Sequence, residues 1–255
     1  MAVKYCIQSA WLAAALLAGL PAQALEPAAL ARQTGIDEAV VRTVLEAGSN
    51  AQPFSRAAAK PGTAVNERRL ASAEGPAATS AAVRGKAGWT PGLTVQVAGG
   101  RAAAQADWLR RQLGAGYVVF VSERRHGIGR QPDDVTVIRA KDPLEPLRVM
   151  GTAGPTYELG PQRVLAKLRD WDRRYGVQLI GAGHDWVEVR LQRLPERMRR
   201  FAVEVYEFCP DVVSDVESID RLGEELQLTR TLHLAWGRPA WERPRRDLGA
   251  ILAGP

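Results

Sequence analysis

The sequence predicts an α+β fold for segment 93–237, a single compact domain in which helices pack on a small mixed sheet. Two observations favour this class. Runs rich in β-branched residues and bounded by Gly, Pro or Asp indicate strands, as in LTVQV (93–97), YVVFVSE (117–123) and DVTVIRA (134–140). Between and after these runs, apolar residues recur at the three- and four-residue spacings that are typical of helices. With 255 residues, 46% of them hydrophobic, the chain is long enough to bury a full core.

The N-terminal segment 1–24 has the three parts of a secretory signal peptide. Lys4 supplies a positive charge, residues 7–20 form an apolar stretch too short for a comfortable membrane span, and a small-residue AQA tripeptide ends at Ala24. We therefore expect cleavage near Ala24, no transmembrane segment in the mature chain and a periplasmic or secreted location. Removal of this segment leaves Cys209 as the sole cysteine, which excludes an internal disulfide.

Segment 25–48 predicts a short helical hairpin, because apolar residues recur at helical spacing on either side of Gly35. The same spacing matches a helix-turn-helix motif. However, the second helix would begin at Asp37 and Glu38, whose negative charge repels DNA phosphates. DNA binding would also require the chain to stay in the cytoplasm, so we expect no nucleic-acid partner.

Segments 49–92 and 238–255 are predicted to lie outside the folded domain. The first is rich in Ala, Pro, Gly, Ser and Arg and has few large apolar residues, which is typical of a disordered linker. The second is a basic tail. The formal net charge of +6 suits either nucleic acid or an anionic envelope surface and does not decide between them.

Boundary residues predict the order of elements within the domain, since Pro favours helix starts and Gly favours helix ends. Helices are expected at 103–113, from Pro161 to Gly176, from Pro195 to Pro210 and after a capping box at Ser214 and Glu217, with strands within 177–191 and at 231–236.

The stretch GAGHDWVEV (181–189) raises the question of a His–Asp dyad. Strand alternation would place His184, Trp186 and Glu188 on one face and Asp185 on the other with aliphatic residues, so the two side chains are not expected to act together. We interpret His184 as a half-exposed residue beside Trp186. Asp185 either caps the glycine turn or serves as a site acid, and in both cases its carboxylate needs a partner.

Two further stretches carry candidate residues for a functional surface. In VYEFCPDVV, Tyr206, Cys209 and Asp211 follow one another, and Cys209 is either a small core residue or a nucleophile. In the loop GTAGPTYELG (151–160), Thr152 and Tyr157 supply hydrogen-bonding groups, although an ordinary interhelical turn would have the same composition. The three histidines are scattered singly, so we expect no metal and no cofactor.

Four motifs together resemble the uncharacterised bacterial domain of unknown function family 4253 over about 103–237. They are LRVMGTAGPTYELG, LAKLRDWDRRYGVQLIGAGHDWVEVRL, LPERMRRFAVEVYEFCPDVV and LTRTLHLAWG. The resemblance implies a compact domain of mixed helices and strands and transfers no catalytic residue. It also implies an aromatic residue where this chain has His184 and an asparagine where it has Ala153.

Two functional hypotheses follow from these residues. The first is an exported, non-catalytic module that binds a protein or envelope component through the 151–160 loop and the face with Trp186 and Glu188. The second is a hydrolase that uses Asp185 or Glu188 as acid or base, with Cys209 as an optional nucleophile, in a pocket near the same loop. The sequence does not determine the oligomeric state.

Overall fold

The computed structural model describes residues 26–57, 89–125, 131–212 and 218–237. The predicted signal peptide, residues 58–88 of the predicted linker and the predicted basic tail lie outside them, as do Ser214 and Glu217. The described residues form helices and one mixed sheet, which confirms the α+β class. The helices are α1 (Pro27–Thr34), α2 (Glu38–Ala47), α3 (Ala102–Gln112), α4 (Glu145–Met150), α5 (Pro161–Tyr175), α6 (Met198–Phe208) and α7 (Ile219–Thr229). The strands are β1 (Ser49–Ala57), β2 (Trp89–Val97), β3 (Tyr117–Glu123), β4 (Asp133–Arg139), β5 (Val177–Ala182), β6 (Trp186–Leu191) and β7 (Thr231–Ala235).

The seven described strands lie in the order β1-β2-β4-β3-β5-β6-β7. All neighbouring pairs are antiparallel except β3 and β5, which run parallel and share a single register pair, Val121 with Gly181. The sheet therefore consists of two antiparallel halves that meet at a narrow parallel junction.

The prediction of a linker over residues 49–92 is wrong at both of its ends. Residues 49–57 form the edge strand β1, and β2 begins at Trp89 rather than at Leu93. β1 pairs with β2 through its backbone, and the ring of Phe54 packs edge-on against Phe120 at 6.4 Å. An edge strand can depend on backbone hydrogen bonds and few apolar side chains, so composition did not indicate it.

Helices cover both faces of the sheet, and each face has its own core. On one face, α1, α2 and α3 pack over β2, β4 and β3, where Leu93, Val95 and Val137 are fully buried. On the other face, α4 to α7 pack over β5, β6 and β7 around Trp171 and Trp236. The predicted hairpin 25–48, now seen as α1 and α2, is thus part of the folded body.

Local chemistry sets most of the helix ends. Pro161 is the first residue of α5, and Gly176 follows its end with a φ of +70°. α6 begins three residues after Pro195, at Met198. The N-cap of α7 is Ser218, whose hydroxyl accepts a hydrogen bond from the Arg221 amide, rather than the predicted Ser214.

The parallel junction is bridged by one side chain, Arg110 of α3. Its guanidinium donates to the carbonyl of Val119 in β3 at 2.8 Å and to that of Leu179 in β5 at 2.8 Å. Asp107, one turn earlier, holds the same guanidinium at 2.6 Å. Burial lowers the pKa of Arg110, although the neighbouring Asp107 opposes this shift. Arg110 thus pairs with backbone carbonyls of both halves of the sheet.

Candidate functional site

The loop 151–160, which carries the candidates Thr152 and Tyr157, packs against the turn of the β5–β6 hairpin. The hydroxyl of Thr152 donates to the Gly183 carbonyl at 2.7 Å, and the amide of Ala153 donates to the His184 carbonyl at 2.8 Å. The Thr156 hydroxyl donates to the Trp236 carbonyl at 3.0 Å. Thr152 is fully buried, so it holds the loop in place and does not reach solvent.

The glycines of the GAG motif make room for a tryptophan. A Cβ atom at Gly183 would lie 2.0 Å from Nε1 of Trp186, and one at Gly181 would lie 2.8 Å from the same ring. The indole therefore lies directly on the backbone of this hairpin. It also stacks with the ring of His233 at 5.8 Å between centroids. The close approach that two glycines permit is thus an internal packing contact.

His184 and Asp185 lie in the turn between β5 and β6 and do not form a dyad. His184 is exposed, whereas Asp185 is half-buried and lies against Gly237, where a Cβ would come within 2.4 Å of its Oδ2. Asp185 lies one residue before β6, and its carbonyl accepts a hydrogen bond from the amide of the buried Trp236. No hydrogen bond from the described residues reaches the carboxylate, so the expected partner is missing from this part of the chain.

Alternation along β6 follows the predicted pattern. Val187, Val189 and Leu191 are buried, whereas Trp186, Glu188 and Arg190 are partly exposed on the opposite face. We call the partly exposed surface the β6–β7 outer face, and it comprises Trp186, Glu188 and Arg190 of β6 with Thr231 and His233 of β7.

The charged residues of the β6–β7 outer face are paired. Glu188 forms a salt bridge with Arg124, which follows β3, and both side chains are more than four-fifths buried. Arg190 contacts Asp107 of α3 at 3.3 Å. The carboxylate of Glu188 is therefore already engaged by a cation within the molecule.

Tyr157, Cys209 and Asp211 meet on the opposite side of the loop. The Tyr157 hydroxyl donates to Oδ1 of the buried Asp211 at 2.5 Å, whereas Oδ2 of Asp211 is buried without a hydrogen bond from the described residues. The Cys209 thiol is fully buried and donates to the Ala235 carbonyl at 3.3 Å. Burial raises the pKa of this thiol to about 12. A thiolate is therefore strongly disfavoured at neutral pH, and Cys209 is a core residue.

The remaining candidate, Tyr206, lies apart from this arrangement as a half-buried residue of α6 that packs against the larger core. The roles of two further side chains that shape the surface were not predicted from the sequence. Arg124 carried no signal, since its partner is 64 positions away. His233 is one of the three histidines that are scattered singly in the sequence, and its stacking on Trp186 depends on the β6–β7 register.

Two clefts lie along the groove between α5 and α6, and Glu204 lines both. The larger, of about 480 Å³, lies at the start of α6, and the smaller, of about 320 Å³, lies beside Tyr157. Burial would raise the pKa of Glu204, but hydrogen bonds from Arg174, Trp171 and Lys167 lower it to about 2. Glu204 is therefore an ionised link between the two helices.

Across the described ranges, no three or more His, Cys, Asp or Glu side chains are grouped in a way that could hold a metal ion. The helices in the same ranges are all too short or too polar to cross a membrane.

The fold and this surface define an α+β protein with one mixed sheet covered by helices on both faces. Residues 134–237 match the family model described as Domain of unknown function (DUF4253), which confirms the resemblance seen in the motifs. The match begins in β4 and ends just after β7. No curated protein and no solved structure gives a significant match.

Proposed function

We propose that the protein is an exported, non-catalytic module that binds a protein or cell-envelope component through the β6–β7 outer face. The observation that carries this proposal is the Trp186–His233 stack, which lies partly exposed on the sheet. Large aromatic side chains at the centre of a surface patch are the commonest anchors of protein interfaces.

The indole of Trp186 is already held in one position. Gly181 and Gly183 lie beneath it, and His233 stacks on it. A partner that binds this ring does not have to immobilise it, so little conformational entropy is lost on binding. Pre-organisation of this kind supports recognition of a specific partner.

The charged groups around the stack are already paired within the molecule. Arg124 and Glu188 neutralise each other on one side, and Arg190 is shared with Asp107 on the other. Paired charges beside an interface contribute more to the choice of partner than to affinity. Export, which the N-terminal segment predicts, would place the partner in the cell envelope or outside the cell.

The hydrolase hypothesis finds less support in the same geometry. Its nucleophile, Cys209, is sealed in the core with a pKa of about 12. Glu188 is occupied by Arg124, and Asp185 lies in a turn against Gly237. Binding therefore accounts for the arrangement with fewer additional assumptions.

The test is affinity capture from an envelope extract, followed by titration of the captured component against purified variants. We expect the double variant Trp186→Ala/His233→Ala to bind at least roughly tenfold more weakly than the wild type. The control is Leu228→Ala on α7, which removes a side chain that is 85% exposed and lies outside the β6–β7 outer face. Equal binding by the wild type and the double variant, with both folded by circular dichroism, would refute the proposal.

A further inference from the structure

A basic cleft of about 480 Å³ lies where the end of α5 meets the start of α6. Four arginines and two glutamates line it, together with an apolar floor. The arginines are Arg174, Arg193, Arg197 and Arg200, and the glutamates are Glu196 and Glu204. The cleft is separate from the β6–β7 outer face, because none of its lining residues belongs to that surface.

The positive charge of the basic cleft is not balanced by the carboxylates around it. Glu204 is already engaged by Arg174 at 2.5 Å and by Trp171 at 2.8 Å. Arg193 donates to the backbone carbonyl of Arg174. Among the described residues, no carboxylate forms a salt bridge with Arg193, Arg197 or Arg200. Three guanidinium groups thus face one remaining carboxylate, that of Glu196.

The start of α6 adds to the same field. Its N-cap, Arg197, provides no side-chain cap, and the first turn contains no acidic residue. Helix N-termini carry a partial positive charge and normally attract acidic side chains. Here Arg197 and Arg200 occupy this region instead. An anion in the cleft would satisfy the helix terminus and the arginines together.

Ring and backbone contacts tie the floor of the cleft to the end of α5. The ring of Tyr175 packs edge-on against Phe201 at 5.1 Å, and the amide of Arg193 donates to the Tyr175 carbonyl at 2.9 Å. Gln192 is bonded in the same way to Gly176. These contacts hold the arginine-bearing loop against the end of α5, so the backbone positions of the basic groups are set before any ligand arrives.

We propose that the basic cleft binds a phosphate-type anion through Arg193, Arg197 and Arg200. Guanidinium groups form paired, charge-assisted hydrogen bonds with phosphate oxygens, and three of them around one concavity match a phosphomonoester better than a single carboxylate. The phosphate group can belong to a soluble ester or to a lipid headgroup, since the cleft is open to solvent.

Binding is tested by thermal unfolding and calorimetry of the purified protein with inorganic phosphate, against chloride at equal ionic strength. We expect phosphate to raise the unfolding temperature of the wild type. We expect the affinity of the Arg197→Gln/Arg200→Gln variant for phosphate to be lower than that of the wild type by about tenfold or more. The control Arg42→Gln/Arg221→Gln removes the same charge from α2 and α7, at side chains 64% and 70% exposed, and should bind as the wild type does.

A second experiment distinguishes a soluble phosphate ester from a lipid headgroup. Vesicles of phosphatidylcholine with and without phosphatidic acid are sedimented with the wild type and both double variants. The site is assigned to a lipid headgroup if the wild type and the control variant bind phosphatidic acid vesicles, the Arg197→Gln/Arg200→Gln variant does not, and inorganic phosphate does not stabilise the wild type. Stabilisation by inorganic phosphate without vesicle binding assigns it to a soluble ester. If neither probe separates this variant from its charge-matched control, the proposal is wrong.

Discussion

Two tryptophans of this protein lie directly on glycine backbone, and these contacts organise the site at the level of single residues. Trp186 covers Gly181 and Gly183, and Trp236 covers Gly154, where a Cβ would come within 2.8 Å of its ring. Trp236 is fully buried and its indole N–H donates to the Phe208 carbonyl. Each of these glycines therefore leaves open the space that the ring occupies, because a Cβ atom there would collide with the ring.

A substitution at Gly183 tests this packing. Gly183→Ala would place a methyl group 2.0 Å from Nε1 of Trp186, so the ring or the hairpin must move. We expect the free energy of unfolding to fall by about 1–3 kcal/mol, as is typical of overpacking. Urea unfolding followed by circular dichroism measures the change. Gly160→Ala is the control, since its Cβ would meet nothing within 4 Å, and a similar loss in both variants would contradict the packing argument.

At the level of elements, the parallel junction between β3 and β5 is the least paired part of the sheet. Strand pairing there is limited to Val121 and Gly181, and Arg110 supplies the hydrogen bonds to the carbonyls of Val119 and Leu179. A helix that packs on the sheet thus provides polar contacts that the strands do not make with each other. A buried arginine is tolerated because it has several acceptors.

Loss of this bridge should weaken the junction. Arg110→Ala leaves the carbonyls of Val119 and Leu179 and the carboxylate of Asp107 without this donor, and we expect the free energy of unfolding to fall by about 2–4 kcal/mol. Amide hydrogen exchange in β3 and β5 should quicken more than exchange in β2. The neighbouring Arg111→Ala is the control because that side chain is exposed. Unchanged exchange at the junction in Arg110→Ala would show that Arg110 does not join the strands.

The α5–α6 pair is joined in a comparable way by Glu204. Its carboxylate accepts from Trp171 and Arg174 of α5 and lies 3.3 Å from Lys167. Since its folded pKa is below its ordinary value, this contribution to stability is present above about pH 4.5 and is lost as the pH falls toward about 2. The link also fixes the groove that contains the basic cleft.

At the level of the whole molecule, the family match and the folded body differ in extent. The match begins at residue 134, yet β3 (Tyr117–Glu123) lies between β4 and β5 in the sheet. The matched segment therefore lacks a strand from the middle of its own sheet. The face with Val135 and Val137 is also covered by α1, α2 and α3, which lie outside the match.

A fragment of residues 134–237 is therefore expected not to fold as it does in the whole chain. Without β2 and β3, β4 loses both of its neighbouring strands and β5 keeps only β6, and the valine face of the sheet becomes exposed to water. We expect aggregation or loss of cooperative thermal unfolding for 134–237, and cooperative unfolding for 26–237. Circular dichroism and size-exclusion chromatography distinguish the two. A monomeric, cooperatively folded 134–237 would contradict the requirement for β3.

Several features of the fold were accessible from the sequence because they depend on neighbours along the chain. The start of α5 at Pro161, its end before Gly176 and the alternation along β6 were all predicted. The burial of Cys209 was one of two alternatives. The edge strand β1 was missed because its partner β2 lies more than thirty residues away.

The sequence by itself determined the α+β class, most helix positions and the alternating faces of β6, since burial repeats with the period of each local structure. The tertiary structure alone decided the strand order, the Trp186–His233 stack and the Arg124–Glu188 pair. Each of these joins groups far apart in the chain, as Arg110 and Leu179 are, with 69 positions between them. Such contacts depend on how elements pack in space, and local periodicity carries no information about that.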